Sequence, residues 1–102
     1  MILKDISNKK ILIKMDPITN KEDTKYYLGK LYFQKADYQK AIRIYEEGLS
    51  INPQSIILIY EIGLAYSKLK KHKKALKYWR RLLRIAPHSF LANDVGQRLK
   101  AK

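Results

Sequence analysis

From about residue 20 onward, apolar residues recur at three- and four-residue steps, the spacing of helices that bury one side. Asn20 is a good N-cap, with Glu22 and Asp23 in the first turn where the helix dipole favours negative charge, and predicts a helix to about Gln34. Leu28, Leu31, Tyr32 and Lys35 share one of its faces. Ala36-Asp37 marks a turn, and a second helix follows to about Ser50 with an inward stripe of Ala41, Ile44, Tyr45 and Gly48. Asn52 then reads as an N-cap and Pro53 as the first position of a third helix, to about Lys68. That helix has one stripe of Ile59, Ile62, Gly63 and Tyr66 and an opposite one of Ile57, Tyr60 and Leu64, so neighbours should cover it on several sides. A fourth helix, about Lys73 to Ala86, points Ala75, Leu76, Trp79, Leu82 and Leu83 inward. A fifth, about Ser89 to Lys100, carries Phe90 and Leu91 early and turns polar at Gln97, Arg98 and Lys100. Residues 1–19 are less regular. Ile2, Leu3 and Ile6 fit one face of a short helix, Ile11, Leu12, Ile13 and Met15 fit a short strand equally well, and Asp16-Pro17 is a break.

The pattern repeats itself. Gly29 and Gly63 are 34 residues apart, as are Leu28 and Ile62, Tyr32 and Tyr66, Ala41 and Ala75, Tyr45 and Trp79, and Pro53 and Pro87. A fixed period of this size marks a stack of helix pairs, each unable to bury its apolar side alone. An interior helix glycine costs roughly 1 kcal/mol relative to alanine. Two of them one period apart therefore imply close approach, most simply by a neighbouring helix backbone.

The spacing Leu28-Gly29-x-x-Tyr32, Ala41, Tyr45, Pro53, repeated as Ile62-Gly63-x-x-Tyr66, Ala75, Trp79, Pro87, resembles the tetratricopeptide repeat. The resemblance covers about Glu22 to Lys102. It departs from the family pattern at Lys25 and Ile59, where Trp is preferred, and at Gly48 and Leu82, where a small Ala is usual. It implies an all-α fold, an α-α superhelix of antiparallel helix pairs. Repeat one would span about 22–55, repeat two about 56–89, and a capping helix about 89–101, with residues 1–19 an N-terminal arm that is disordered or packed on the first repeat.

By the same resemblance, the first helix of each pair lines a groove that holds a peptide or partner protein without chemistry. The groove positions are Asp23, Tyr26, Lys30, Phe33 and Gln34 in the first repeat, and Ile57, Tyr60, Leu64, Ser67 and Lys68 in the second. The family's carboxylate clamp needs Lys and Asn where this chain has Tyr26, Lys30 and Glu61, so that mode is absent. The groove is aromatic and aliphatic with a basic edge, better suited to an amphipathic segment. Tyr26 and Tyr60 are the favoured anchors.

Charge adds a second feature. The net charge is +13, and residues 52–102 hold twelve Lys and Arg against two Asp and Glu, while residues 1–51 hold ten against seven. Nine of the seventeen residues from Lys68 to Arg84 are basic, and Lys73, Lys77, Arg80 and Arg84 form one outer stripe on the fourth helix. Such a stripe is a solvated face or a dock for nucleic acid or an anionic membrane. Self-association through an exposed apolar face is a third expectation, because two repeats and a cap are few for a stable stack.

The remaining chemistry is sparse. His72 and His88 lie 16 residues apart with no cysteine in the chain, the serines lack a nucleophile-elbow context, and no glycine-rich phosphate loop occurs. The expectation is a protein that is not an enzyme and has no cofactor or metal. The absence of cysteine fits a reducing compartment. The longest apolar run, the eleven residues Ile56 to Tyr66, is broken by Glu61. A membrane span needs about 20, so a cytoplasmic location is expected.

Overall fold

The computed structural model describes residues 21–100, which form five helices: α1 (Lys21–Gln34), α2 (Tyr38–Ile51), α3 (Ile56–Lys68), α4 (His72–Ile85) and α5 (Phe90–Lys100). The readings of residues 1–19 and of Asn20 as an N-cap fall outside the described residues. The helices pack as consecutive pairs, α1 with α2 and α3 with α4. α2 also packs on α3, and α5 lies against both α3 and α4. The central helix α3 thus touches three neighbours, as its all-round apolar sequence requires.

Local chemistry explains the boundaries. α1 and α3 end in residues with left-handed backbone, Ala36 (φ 64°) and Lys70 (φ 63°), one repeat period apart. These turn the chain so that Asp37 N–H and Lys71 N–H donate to the carbonyls of Tyr32 and Tyr66, each at 2.9 Å. Asp37 then caps α2 by accepting Lys40 N–H. α3 starts later than the Asn52-Pro53 reading predicts. Asn52 is the C-cap of α2, its N–H returning to Gly48, and the hydroxyl of Ser55 accepts Leu58 N–H as the true N-cap. The side chain of Asn52 instead accepts Gln54 N–H, which makes Pro53 part of a turn.

The core joins α2, α3, α4 and α5 through Ala41, Tyr45, Leu58, Ile59, Ile62, Ala75, Trp79, Leu82 and Val95. The repeat glycines meet aromatic side chains, where the sequence suggested a helix backbone. A Cβ on Gly29 would stand 2.5 Å from Tyr45 Cδ1, and one on Gly63 would stand 2.5 Å from Trp79 Cδ1. Each ring packs directly against its glycine. Two departures from the repeat pattern also explain each other. A Cβ on Gly48 would lie 2.9 Å from Lys25 Cβ, so the bare glycine admits the stem of the lysine, whose ammonium reaches Glu47 at 2.7 Å.

One expected symmetry fails. Ile62 is fully buried, but its partner Leu28 is 38% exposed and Leu31 beside it is 46% exposed. Ile62 belongs to a helix with neighbours on several sides, whereas among the described residues no helix precedes α1.

Candidate functional site: the faces of the first helices

Side chains tie α1, α3 and α5 together along one side of the stack. Lys30 Nζ of α1 lies 3.5 Å from Glu61 Oε2 of α3. The Tyr60 hydroxyl of α3 donates to Asp94 of α5, and Arg98 Nε donates to the same carboxylate at 2.8 Å. The main-chain carbonyl of Tyr60 accepts the indole N–H of Trp79, fixing the turn that carries the tyrosine. Both charged pairs in this surface are therefore internal.

The predicted groove residues sit on these helices as half-buried or exposed side chains. Tyr26, Lys30 and Phe33 of α1 are half-buried, as are Ile57, Tyr60, Leu64 and Ser67 of α3. Asp23, Gln34 and Lys68 are exposed. Lys30 also stands 5.7 Å over the Phe33 ring, and Phe33 meets Tyr38 edge-on, so the aromatic surface is held by packing.

Behind Lys30 lies a buried polar cluster. Glu61 is 4% exposed; Lys30 reaches one of its oxygens, while Oε1 has no hydrogen-bond partner among the described residues. Burial raises the Glu61 pKa, and the nearby Lys30 ammonium only partly opposes this. Tyr45 is equally buried with an unpartnered hydroxyl, and burial together with the charge of Glu61 pushes its phenol well above the ordinary value. Tyr60 is raised by burial and by its bond to Asp94, whereas Asp94 is lowered by the hydrogen bonds from Tyr60 and Arg98. Lys30 already faces Glu61 within the chain, so a visiting carboxylate would have to share its ammonium.

The second set of predicted residues, Lys73, Lys77, Arg80 and Arg84, is exposed along α4, whose other side buries Ala75, Trp79 and Leu82. None of the four pairs with a carboxylate among the described residues, whose ion pairs are Lys25–Glu47, Lys30–Glu61 and Arg98–Asp94. Arg81, outside the stripe, donates to the Pro53 carbonyl at 2.8 Å.

The sequence reading took Arg98 only as part of a polar helix end and passed over Asp94, although the repeat register points to both. Asp94 is one period after Tyr60, and Arg98 is one period after Leu64 and two after Lys30. Extending the 34-residue step once more places both on the same side of the stack.

Two helix pairs in the same register, each closing an aromatic ring onto a helix glycine, with a fifth helix continuing the line of first helices, define a helical-repeat array. A model of the tetratricopeptide repeat matches the chain twice, over residues 23–55 and 57–89. The chain belongs to the tetratricopeptide repeat family. It is 33% identical over 76 residues to Tetratricopeptide repeat protein 21B of Xenopus laevis, a match covering 74% of this chain and 6% of that protein. It is 32% identical over 74 residues to the BBSome complex member BBS4 of Bos taurus, covering 72% of this chain and 14% of that protein. With the RNA polymerase-associated protein CTR9 of Saccharomyces cerevisiae it shares 37% identity over 69 residues, 64% of this chain and 6% of that protein. The chain thus spans between 6% and 14% of the length of these relatives. No helix among the described residues is long and apolar enough to cross a membrane.

Proposed function

We propose that this chain is a non-catalytic interaction module that holds an amphipathic segment of a partner protein against α1 and α3. Tyr26, Phe33, Ile57, Tyr60 and Leu64 make the contact, with Asp23, Lys30, Gln34, Ser67 and Lys68 at its rim. One observation carries the reading: the two ion pairs within this surface are closed inside the chain, Lys30 with Glu61 and Arg98 with Asp94, and the exposed charges of Asp23 and Lys68 stand only at its rim. That leaves half-buried aromatic and aliphatic area as its main unsatisfied feature. Relatives named as members or associates of complexes support a role as a docking unit within a larger assembly. The test is affinity purification from the source cell, followed by titration of the recovered partner. Leu64→Asp and Tyr60→Asp should each weaken binding by about 2 kcal/mol, roughly thirtyfold. Undiminished binding by variants that keep wild-type helicity refutes the reading.

A separate observation favours a second reading, in which the four cations of the exposed α4 stripe, none paired with a carboxylate among the described residues, dock on nucleic acid. If each neutralises one phosphate, log K should fall against log salt with a slope of roughly −3.6. Exchanging Lys73, Lys77, Arg80 and Arg84 for Glu should abolish that binding, and unchanged affinity would exclude it.

A further inference from the structure

Leu76 and Leu83 on α4 correspond, one period back, to Ile42 and Leu49 on α2. The α2 pair is 6% and 7% exposed. Ile42 meets Tyr66, Leu69 and Lys74 of the second repeat around one small pocket, and α4 stands beside α2, its Tyr78 hydroxyl donating to Glu46 at 2.6 Å. The α4 pair is only half-buried. Among the described residues no helix lies against α4 as α4 lies against α2, although α5 reaches it from one side. Beside Leu76 the two helices leave a cavity of about 250 Å³, floored by the buried Ala75 and Trp79 and walled by His72, Leu76 and Leu99. That is smaller than the roughly 300–1,000 Å³ of sites that hold a whole small molecule, and it suits a single side chain.

The half-buried leucines stand between this cavity and the basic stripe. Neighbours on a helix surface are three and four residues apart. Leu76 thus has His72 and Trp79 on one side and Lys73 and Arg80 on the other, and Leu83 adjoins Trp79 and Arg80. The face carries two parallel rows, an apolar one with a socket and a cationic one. Nothing in the same half of the chain answers the cations. Residues 52–102 hold Glu61 and Asp94 as their two acids, and both are engaged on α3, Glu61 with Lys30 and Asp94 with Tyr60 and Arg98.

We infer that this face of α4 docks an acidic amphipathic helix of a partner protein. One of its apolar side chains enters the cavity, and its carboxylates face Lys73, Lys77, Arg80 and Arg84. The occupant is helical because the equivalent row on α2 is covered by helix packing in the same register. It is acidic because opposite charge beside an apolar contact steers and selects the partner. A phosphate backbone, the ligand of the second reading, would satisfy the cations but leave the leucines and the cavity in water. A second copy has little acid to offer, since Glu22, Asp37, Glu46 and Glu47 already hold Asn52, Lys40 N–H, Tyr78 and Lys25.

The probe is a labelled peptide as long as α4, 14 residues, with leucines on one helical face and glutamates beside them. A second peptide carries glutamine in place of glutamate, and a single-stranded oligonucleotide supplies phosphates. Fluorescence anisotropy on the full chain reads each affinity. The acidic peptide should bind at least about tenfold more tightly than its glutamine counterpart, and high salt should narrow that gap. Leu76→Gln, and separately Leu83→Gln, should weaken the acidic peptide about tenfold. Lys73→Gln combined with Arg80→Gln should do the same, whereas Leu64→Asp on α3 should leave its binding unchanged. Equal affinity for the two peptides, or binding of neither, overturns the proposal. Loss with Leu64→Asp but not with Leu76→Gln moves the peptide to the surface of α1 and α3, which overturns this inference and leaves the proposed function standing. An oligonucleotide bound more tightly than the acidic peptide, and indifferent to Leu76→Gln, assigns the stripe to nucleic acid and also overturns it. Self-association that Leu76→Gln abolishes gives the face to a second copy, again against the proposal.

Discussion

The same substitution, glycine to alanine inside a helix, should have opposite effects at Gly63 and Gly96. At Gly96 nothing lies within 4 Å of the added methyl, so only the backbone responds. Alanine there should stabilise α5 by up to about 1 kcal/mol. At Gly63 the methyl would sit 2.5 Å from Cδ1 and 2.6 Å from Cε2 of Trp79. Carbon atoms prefer about 3.5–4.0 Å, so the ring must shift by roughly 1 Å or more. It is buried beside Leu82 and Ala75 and holds the Tyr60 carbonyl through its N–H at 3.4 Å. Overpacking of this kind typically costs about 1–3 kcal/mol, and the strained hydrogen bond adds about 1 kcal/mol. After subtracting the helix-propensity gain, Gly63→Ala should destabilise by roughly 1–3 kcal/mol. For a domain of this size each kcal/mol moves Tm by about 4–8 °C. Thermal unfolding followed by circular dichroism should therefore show Gly96→Ala a few degrees above wild type and Gly63→Ala on the order of 10 °C below it. Adding Trp79→Leu removes the ring, so the double variant should lose less than the sum of the single changes. A Gly63→Ala protein as stable as wild type, or strict additivity in the double variant, would refute the ring-on-glycine account.

Two further outcomes follow from the backbone and the buried polar cluster. Ala36 and Lys70 hold left-handed conformations that cost a residue with a Cβ about 1–2 kcal/mol. Glycine at either position should raise stability by roughly 0.5 kcal/mol after the larger unfolded-state entropy of glycine is subtracted, readable as a higher urea midpoint. Glu61 has a pKa raised above 4.5 in the folded protein, so folding favours its protonated form. Its contribution is fully present below pH 4.5 and is lost as pH climbs through the raised value, and Glu61→Gln should flatten that fall in urea titrations carried upward from pH 4.5. Asp94 acts in the opposite sense, losing its contribution only as pH drops below its ordinary value of 3.8, and does so equally in both proteins.

The period was readable because it is carried by residues with few substitutes. Only glycine leaves room for a ring this close to a helix, and Tyr45 and Trp79 stand one period apart to supply those rings. The identity of the close neighbour was not readable, since a helix glycine implies a near approach without saying whether backbone or side chain makes it. The start of α3 was misread for a local reason. Asn52, Ser55 and Pro53 are all good helix-start residues, and only the carbonyl of Gly48 accepting Asn52 N–H settles which helix the asparagine serves. The exposure of Leu28 against the burial of Ile62 was hidden as well, because equivalent letters in two repeats do not reveal whether a neighbouring element exists.

The register carries one step further than the two matched repeats. Tyr26, Tyr60 and Asp94 hold the same position in α1, α3 and α5, and Lys30, Leu64 and Arg98 hold the position four residues later. α5 thus continues the line of first helices on its inner side and presents Asn93, Gln97 and Lys100 on its outer one. At the joint between α3 and α5, Asp94 receives the Tyr60 hydroxyl and is steadied by Arg98 one turn on. A purely apolar contact would bury area without fixing the tyrosine ring. A polar joint sets its direction, because a charge-assisted hydrogen bond is stronger and more directional than contact alone. The residue proposed as an anchor on α3 is therefore positioned by the helix that follows the second repeat, so the packing of α5 on the stack and the shape of the proposed interaction surface are one structural event.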